Sequence, residues 1–240
     1  MLISDFYNVH KSQSMQYIFS LISKWGIEPP MGPTAAVDGL LHSRHDLFNL
    51  LALPVVLFFL ADYLFGRMGI NRNDLNENET SFTLLWCVGE LYFAVDLMWL
   101  LLWPRSVASP AIIVFHHIIC CLGWCLPLLR VELAPYAAAL LLVELNTFFL
   151  IAKRYFADIS SVHVVMKHLF HVTWIGLRLV MYPAVCYMFS FEVHKSYIQS
   201  GYINLSSASM FILLLLICLN MKWTYDLYLK SDESMQKKGL

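Results

Sequence analysis

Long apolar segments alternate with short polar ones along most of this chain. Six of the apolar segments are close to the ~20 residues that an α-helix needs to cross ~30 Å of hydrocarbon. They cover residues 47–65, 82–103, 107–129, 133–152, 169–189 and 203–223. None has the in-and-out alternation over ~10 residues that marks a strand of a membrane β-barrel. The pattern therefore predicts an all-α membrane protein with six transmembrane helices.

Composition and charge agree with this class. The chain is 59% hydrophobic and only 14% charged, too little polar surface to cover a soluble domain. Its formal net charge is −1, and it has no basic stripe interleaved with aromatic residues, so we expect no nucleic-acid partner. We divide the chain into a cytosolic N-terminal segment, 1–46, a transmembrane domain, 47–226, and a cytosolic C-terminal tail, 227–240.

The N-terminal segment contains one apolar stretch, 15–27, which is too short to span a bilayer. We interpret it as an interfacial helix with Tyr17 and Trp25 at headgroup depth, ended by Pro29 and Pro30. A loosely ordered cytosolic tail is the alternative. Because no basic start is followed by an apolar core and a small-residue cleavage site, we expect no cleavable signal peptide.

Basic residues in the short loops predict the orientation of the helices. If both termini are cytosolic, the lumenal side carries only Arg67, Arg72, Arg130 and Lys195. The cytosolic side then carries Lys11, Lys24, Arg44, Arg105, Lys153, Arg154, Lys167, Lys222, Lys230, Lys237 and Lys238. The sequon at Asn78 would lie in the lumenal loop after the first helix, as a candidate glycosylation site.

The last four residues contain a candidate localisation signal. Lys237 and Lys238 stand at the fourth and third positions from the C-terminus, the pattern that coat proteins read as a signal for retrieval to the endoplasmic reticulum. The alternative is an ordinary basic flank of the last helix, which the orientation rule favours anyway.

Several ionisable or polar residues lie inside the predicted helices, where lipid would reject them. A charge at this depth is rarely kept without a partner or a polar cavity. The second to fifth helices each contribute: Asp96, then His116 and His117, then Glu144 and Asn146, then Arg178. We therefore predict an internal site in which Arg178 pairs with Glu144 or Asp96 through a bidentate ion pair.

The helical repeat refines this site. His168, His171 and Arg178 fall on one stripe, because three residues advance ~300° and seven return close to the start, and we expect that stripe to face inward. His116 and His117 point ~100° apart, so one ring can enter a cavity while the other bonds to a neighbouring helix. The alternative for Asp96 and Arg178 is a purely structural interhelical role.

Cofactors are not expected. All six cysteines, Cys87, Cys120, Cys121, Cys125, Cys186 and Cys218, lie in apolar segments, where a thiol behaves as a small apolar group. Membrane di-iron enzymes use several histidine boxes, whereas this chain has one HxxH, at His168 and His171, and one isolated pair. We therefore predict no metal site. We see no internal repeat of the kind that secondary transporters show.

Phe115-His116-His117, followed by the segment from Glu144 to Phe156 that ends in Lys153 and Arg154, resembles the TLC domain. The flanking segments from Gly89 to Asp96 and from Arg178 to Pro183 are similar to the neighbouring helices of that family. The resemblance runs from Arg44 to Asp226. The resemblance implies a six-helix, barrel-like bundle around a central cavity. Members of this family include ceramide synthases, translocon-associated proteins, an endoplasmic-reticulum cargo receptor and small proteins that affect membrane lipid composition.

Ceramide synthases combine the adjacent histidines with a later His-Asp pair and transfer an acyl group from acyl-CoA to a long-chain amine. Here Glu144, preceded by Val143, stands in place of that later pair, so half of it is missing. If the protein is an enzyme, the resemblance makes His116, His117 and Glu144 the catalytic candidates. Whether or not the protein is an enzyme, Asp96, Asn146, His171 and Arg178 are the candidates for binding the substrate or lipid.

We expect a TLC-domain protein of the endoplasmic-reticulum membrane that binds or handles a lipid or acyl chain in a polar-lined cavity and so influences membrane lipid composition. Membrane lipids are the expected partners, with coat proteins at the tail. One alternative is a ceramide synthase-like N-acyltransferase with acyl-CoA as co-substrate. Another is an endoplasmic-reticulum cargo receptor. The sequence leaves catalysis, binding and sorting open.

Overall fold

The computed structural model describes residues 35–67, 75–107, 109–201 and 205–229, and the part from Leu41 onward groups into one compact unit. The predicted interfacial helix at 15–27 lies outside the described residues. So do Lys237 and Lys238.

All regular structure in the described part is helical. The helices are α1 (Ala35–Arg67), α2 (Leu75–Leu102), α3 (Pro110–Leu129), α4 (Ala134–Leu141), α5 (Val143–Tyr155), α6 (Ser160–Thr173), α7 (Tyr182–Ser200) and α8 (Leu205–Thr224). Six stretches are long and apolar enough to cross a membrane: Ser43–Gly66, Thr80–Leu102, Pro110–Leu129, Val131–Tyr155, Ser161–Gln199 and Leu205–Tyr228. The all-α class and the six spans are confirmed. A closed, barrel-like arrangement of the spans stays a prediction.

The fourth span consists of two helices. The chain leaves α3 at Arg130, whose extended backbone has φ −148°, and turns through the short 3-10 helix Val131–Leu133 into α4. Prolines stand in the first turns of α3 and α4, where the missing N–H has no partner to lose. A short break at Leu142 then separates α4 from α5.

The fifth span is much longer than predicted. One continuous helical stretch, Ser161–Gln199, replaces the predicted 169–189. Its 39 residues would extend about 60 Å, roughly twice the hydrocarbon thickness. The length of an apolar segment shows only how much of a helix can lie in lipid. The helix itself continues until a residue ends it. That residue is Gly201, whose φ of 71° is left-handed and whose N–H donates to the Tyr197 carbonyl at 2.8 Å.

A pair of tryptophans joins α2 and α3 closely. Trp86 Nε1 donates to the Trp124 carbonyl at 3.0 Å, and Trp124 Nε1 donates to the Trp86 carbonyl at 3.1 Å. Gly89 makes this approach possible, because a Cβ there would lie 2.9 Å from Trp124 Nε1. These contacts belong to an apolar core that also holds Leu53 and Leu85. A second core packs α3 against α7 and α8.

Candidate functional site

Asp96 lies at the centre of a buried network that joins three helices. Its Oδ1 atom is 2.7 Å from His45 Nε2 of α1, and its Oδ2 atom is 2.9 Å from His117 Nε2 of α3. All three side chains are buried, with Asp96 only 3% exposed. The carboxylate therefore uses both oxygens to hold α1 and α3 against α2.

Two further residues fix the position of the Asp96 carboxylate. Asn49 Nδ2 donates to Asp96 Oδ1 at 3.1 Å, and Tyr92 Oη donates to Asn49 Oδ1 at 2.9 Å. A carboxylate only accepts hydrogen bonds, so it favours the tautomer with the proton on Nε2 in both rings. The Nδ1 atoms of His45 and His117 are buried, and neither has a hydrogen-bond partner among the described residues.

The adjacent histidines have different surroundings, as the ~100° between them requires. His117 bonds to Asp96, whereas His116 lies against the Cys120 thiol, with Nε2 at 3.6 Å from Sγ. The His116 ring also meets the Trp223 ring edge-on at 5.1 Å between centroids. Only His117 therefore belongs to the Asp96 network.

Arg178 occupies a second, separate network built from neutral groups. Its Nε donates to Asn146 Oδ1 at 2.8 Å, and an Nη1–H donates to Asn220 Oδ1 at 2.9 Å. The guanidinium also faces the rings of Trp174 and Trp223, at 5.0 and 5.5 Å from their centroids. Within the part that the structure describes, no carboxylate lies within ion-pair distance of it, so the predicted bidentate pair is wrong.

Thr147 is a further neutral partner of Arg178. An Nη2–H of Arg178 donates to Thr147 Oγ1 at 3.3 Å, and Thr147 stands one helical turn after Glu144 on α5. Glu144 and Arg178 are both buried.

The predicted inward stripe of the fifth span is also wrong. His168 is exposed, and His171 Nδ1 bonds to the Lys167 carbonyl of its own helix at 2.6 Å. Of the three residues only Arg178 is buried, whereas His171 is half-buried, with its ring 6.0 Å from that of Tyr228. The reason is the π-helix Trp174–Met181, which has more residues per turn than an α-helix and so shifts the register between His171 and Arg178.

A cavity opens in one half of the bundle and contains about 740 Å³ not filled by atoms, including the space at its mouth. Its walls come from α3, α4, α7 and α8, with Phe93 of α2 and Glu144 at the start of α5. Most lining side chains are apolar. The polar ones are Cys120, Tyr136, Glu144, Tyr182 and Ser209, so the predicted polar lining is reduced to a few groups.

The order of residues along the helices places the polar networks beyond the inner end of this cavity. On α3, His117 precedes the lining residues, whereas on the fourth span Asn146 follows them. Arg178 precedes them on the fifth span, and Asn220 follows them on α8. Because successive spans run in opposite directions, both networks lie in the same half of the bundle. Glu144, which lines the cavity, stands at the boundary between the cavity and these networks.

Sequence reasoning missed several members of these networks. His45 and Asn49 stand at the start of the first apolar segment, where a polar residue looks like part of the flank. Asn220 lies inside the sixth apolar segment, where the rule that selected Asn146 selects it equally. The rule that selected Asp96 likewise selects Glu90, in the middle of the second span.

Asn78 and Asp46 also differ from their expected settings. Asn78 lies within α2, two residues before the second span begins, and not in a loop. Asp46, placed by sequence in the N-terminal segment, is buried in α1 and bonds to Arg154 Nη2 at the end of α5 at 2.5 Å. The packed part of the chain thus begins before residue 47.

Within the described ranges, no cluster of three or more His, Cys, Asp or Glu side chains is suited to hold a metal ion. Comparison with known proteins gave one positive result. No curated protein and no solved structure matched the chain. The family model of the TLC domain matches residues 47–228, which is most of the chain and includes all six spans in whole or nearly so. This chain is a multi-pass membrane protein of the TLC domain family.

Proposed function

We propose that this protein binds an acyl chain of a membrane lipid in its cavity and thereby influences the lipid composition of the endoplasmic-reticulum membrane. The observation that carries the proposal is the cavity itself, a mostly apolar space within the membrane-spanning helices. Apolar walls with a few placed polar groups are the usual lining of small-molecule sites. The buried polar networks around Asp96 and Arg178, which lie beyond Glu144, limit how deep an acyl chain can enter.

The position of the histidines supports binding in preference to catalysis. A general base must come within hydrogen-bond reach of the proton that it removes. Neither His116 nor His117 lines the cavity, and His117 Nδ1 is buried away from it. A lipid in this cavity therefore meets Glu144, Cys120 and Tyr182 before it meets an imidazole.

One observation favours the N-acyltransferase alternative. The Asp96–His117 bond orients an imidazole whose Nδ1 atom has no partner in the part of the chain that the structure describes, which is the arrangement of a general base held by a carboxylate. In that alternative, acyl-CoA supplies the acyl group and a small opening movement brings Nδ1 to the amine. The assay is acyl transfer from acyl-CoA to a long-chain amine by purified protein. Turnover that disappears in His117→Ala would replace the binding proposal by catalysis.

The cargo-receptor alternative rests on the Lys237-Lys238 tail, which lies outside the described residues. Nothing in the cavity favours it over lipid binding. It is tested by the localisation experiment in the Discussion.

The binding proposal is tested by lipid mass spectrometry on the purified protein. Ala137 lines the cavity, and Ala137→Phe fills part of it, so we expect co-purified lipid to fall several-fold. Ala184→Phe is the matched control, because Ala184 is exposed on α7 and does not line the cavity. Equal lipid content in the two variants would contradict the proposal.

A further inference from the structure

Three polar side chains from three helices meet at the end of the bundle away from Glu144. Arg130 follows α3, Ser196 lies near the end of α7, and Ser206 lies in the first turn of α8. Arg130 Nη1 is 2.6 Å from Ser206 Oγ and 3.5 Å from Ser196 Oγ. The guanidinium is therefore held in one orientation by hydroxyl groups from two other helices.

This cluster adjoins the outer end of the cavity. Ser206 is one turn from Ser209, which lines the cavity, and residues three apart on a helix are neighbours. On the other side, the backbone N–H of Leu133, another lining residue, donates to the Arg130 carbonyl at 3.0 Å. From Ser209 to Leu216 the lined part of α8 extends about 10 Å further into the membrane.

Arg130 keeps donors for a ligand. Its Nη2 atom makes no bond to a described residue, and its side chain is 37% exposed. Nε lies 3.6 Å from Glu132 Oε2, but Glu132 is 68% exposed, and ion pairs of this kind contribute little. A guanidinium beside hydroxyl groups matches the oxygens of a phosphate, which it can bind through two parallel hydrogen bonds.

The preference of basic residues for the cytosolic side of a membrane does not explain why an arginine stands at position 130. In the predicted topology Arg130 lies on the lumenal side, which carries few basic residues. It stands directly after Leu129, the last residue of the third apolar span, so we expect it near the lipid headgroups.

We propose that Arg130, Ser196 and Ser206 bind the phosphate group of a lipid whose acyl chain occupies the cavity. This inference rests on the proposed function and makes it more specific, since it names a phosphate-bearing lipid and sets its orientation. The headgroup lies at the outer rim, and the chain runs inward toward Glu144.

The test measures ligand-induced thermal stabilisation of the purified full-length protein in a nonionic detergent and phosphate-free buffer. The three probes are lysophosphatidic acid, the monoacylglycerol with the same chain, and inorganic phosphate. We expect lysophosphatidic acid to bind most tightly. Loss of a charge-assisted hydrogen bond predicts about 10- to 100-fold weaker binding of it by Arg130→Gln. Ser206→Ala should weaken it less, and Lys195→Gln, an exposed basic control, should not.

Each outcome decides between the proposals. If monoacylglycerol binds as well as lysophosphatidic acid, or if Arg130→Gln binds normally, the phosphate site is wrong and the cavity proposal stands. If inorganic phosphate stabilises equally and Ala137→Phe has no effect, the cluster binds a free anion and not a lipid. If neither lipid binds, both the phosphate site and the proposed lipid-binding function are wrong. Should Arg130→Gln not fold, Ser206→Ala and Arg130→Lys carry the comparison.

Discussion

Asp96 and His117 are joined across α2 and α3 by a buried contact of 2.9 Å, and neither side chain lines the cavity. His117, one of the two adjacent histidines, therefore holds α3 against α2. His45, on the other oxygen of Asp96, extends the same contact to α1.

The first prediction concerns Asp96. Asp96→Ala leaves two buried imidazoles without their common partner, and we expect it to lower stability by about 3–5 kcal/mol. His117→Ala should lower it by a smaller amount, since Asp96 keeps His45 and Asn49. Thermal unfolding of the detergent-extracted proteins measures the loss of stability in both variants. Asp226→Asn, at an exposed position paired with Lys222, is the control and should be nearly neutral. A wild-type melting curve for Asp96→Ala would contradict the network.

The second prediction concerns Arg178. Arg178→Ala leaves the amide oxygens of Asn146 and Asn220 unpaired, and Arg178→Lys cannot replace three donors in a planar fork. Both should lower stability and yield, by about 1–3 kcal/mol for each buried amide oxygen that the alanine variant leaves unpaired. A double-mutant cycle with Asn220→Ala should show strong coupling. Additive effects would mean that the two residues act independently.

The third prediction concerns the approach of α2 to α3. In Gly89→Ala the new methyl group meets Trp124 Nε1, so the tryptophan pair must separate, and we expect a loss of about 1–3 kcal/mol. Gly176→Ala is the matched control, because a Cβ there meets no atom within 4 Å. Comparable unfolding temperatures for the two variants would show that this contact is loose.

The fourth prediction concerns topology. Protease treatment of sealed microsomes should remove tags from both termini, because the basic residues favour the cytosol for each end. Asn78→Gln should then remove a glycan if the lumenal sequon is used within α2. A protected C-terminus would reverse the orientation and place the Arg130 cluster on the cytosolic side.

The fifth prediction concerns the tail. Replacing Lys237 and Lys238 by serine should shift the protein from the endoplasmic reticulum to later compartments, because coat proteins read those ammonium groups near the terminal carboxylate. Lys222→Ser, which changes a basic residue at the end of the last span, is the control. Unchanged localisation by imaging would make the tail a basic flank and weaken the cargo-receptor alternative.

Hydropathy along the chain was enough to predict an all-α membrane protein with six spans. Apolar length is a local property, and lipid admits few backbone structures, so hydropathy is sufficient to find the helices. Sequence also found Asp96, His117, Glu144 and Arg178, because the cost of burying a polar group in lipid applies to each residue separately.

Which of these groups are partners could be learned only from the packing of the helices. Charge alone predicted an ion pair at Arg178, yet the helices bring Asn146, Asn220 and Thr147 to it and bring Asp96 to His45 and His117. Partner choice depends on the rotation of each helix about its axis, which the π-helix Trp174–Met181 alters without a signal in the apolar pattern. The cluster of Arg130, Ser196 and Ser206 likewise depends on where three helix ends meet, and no single segment of the sequence encodes that position.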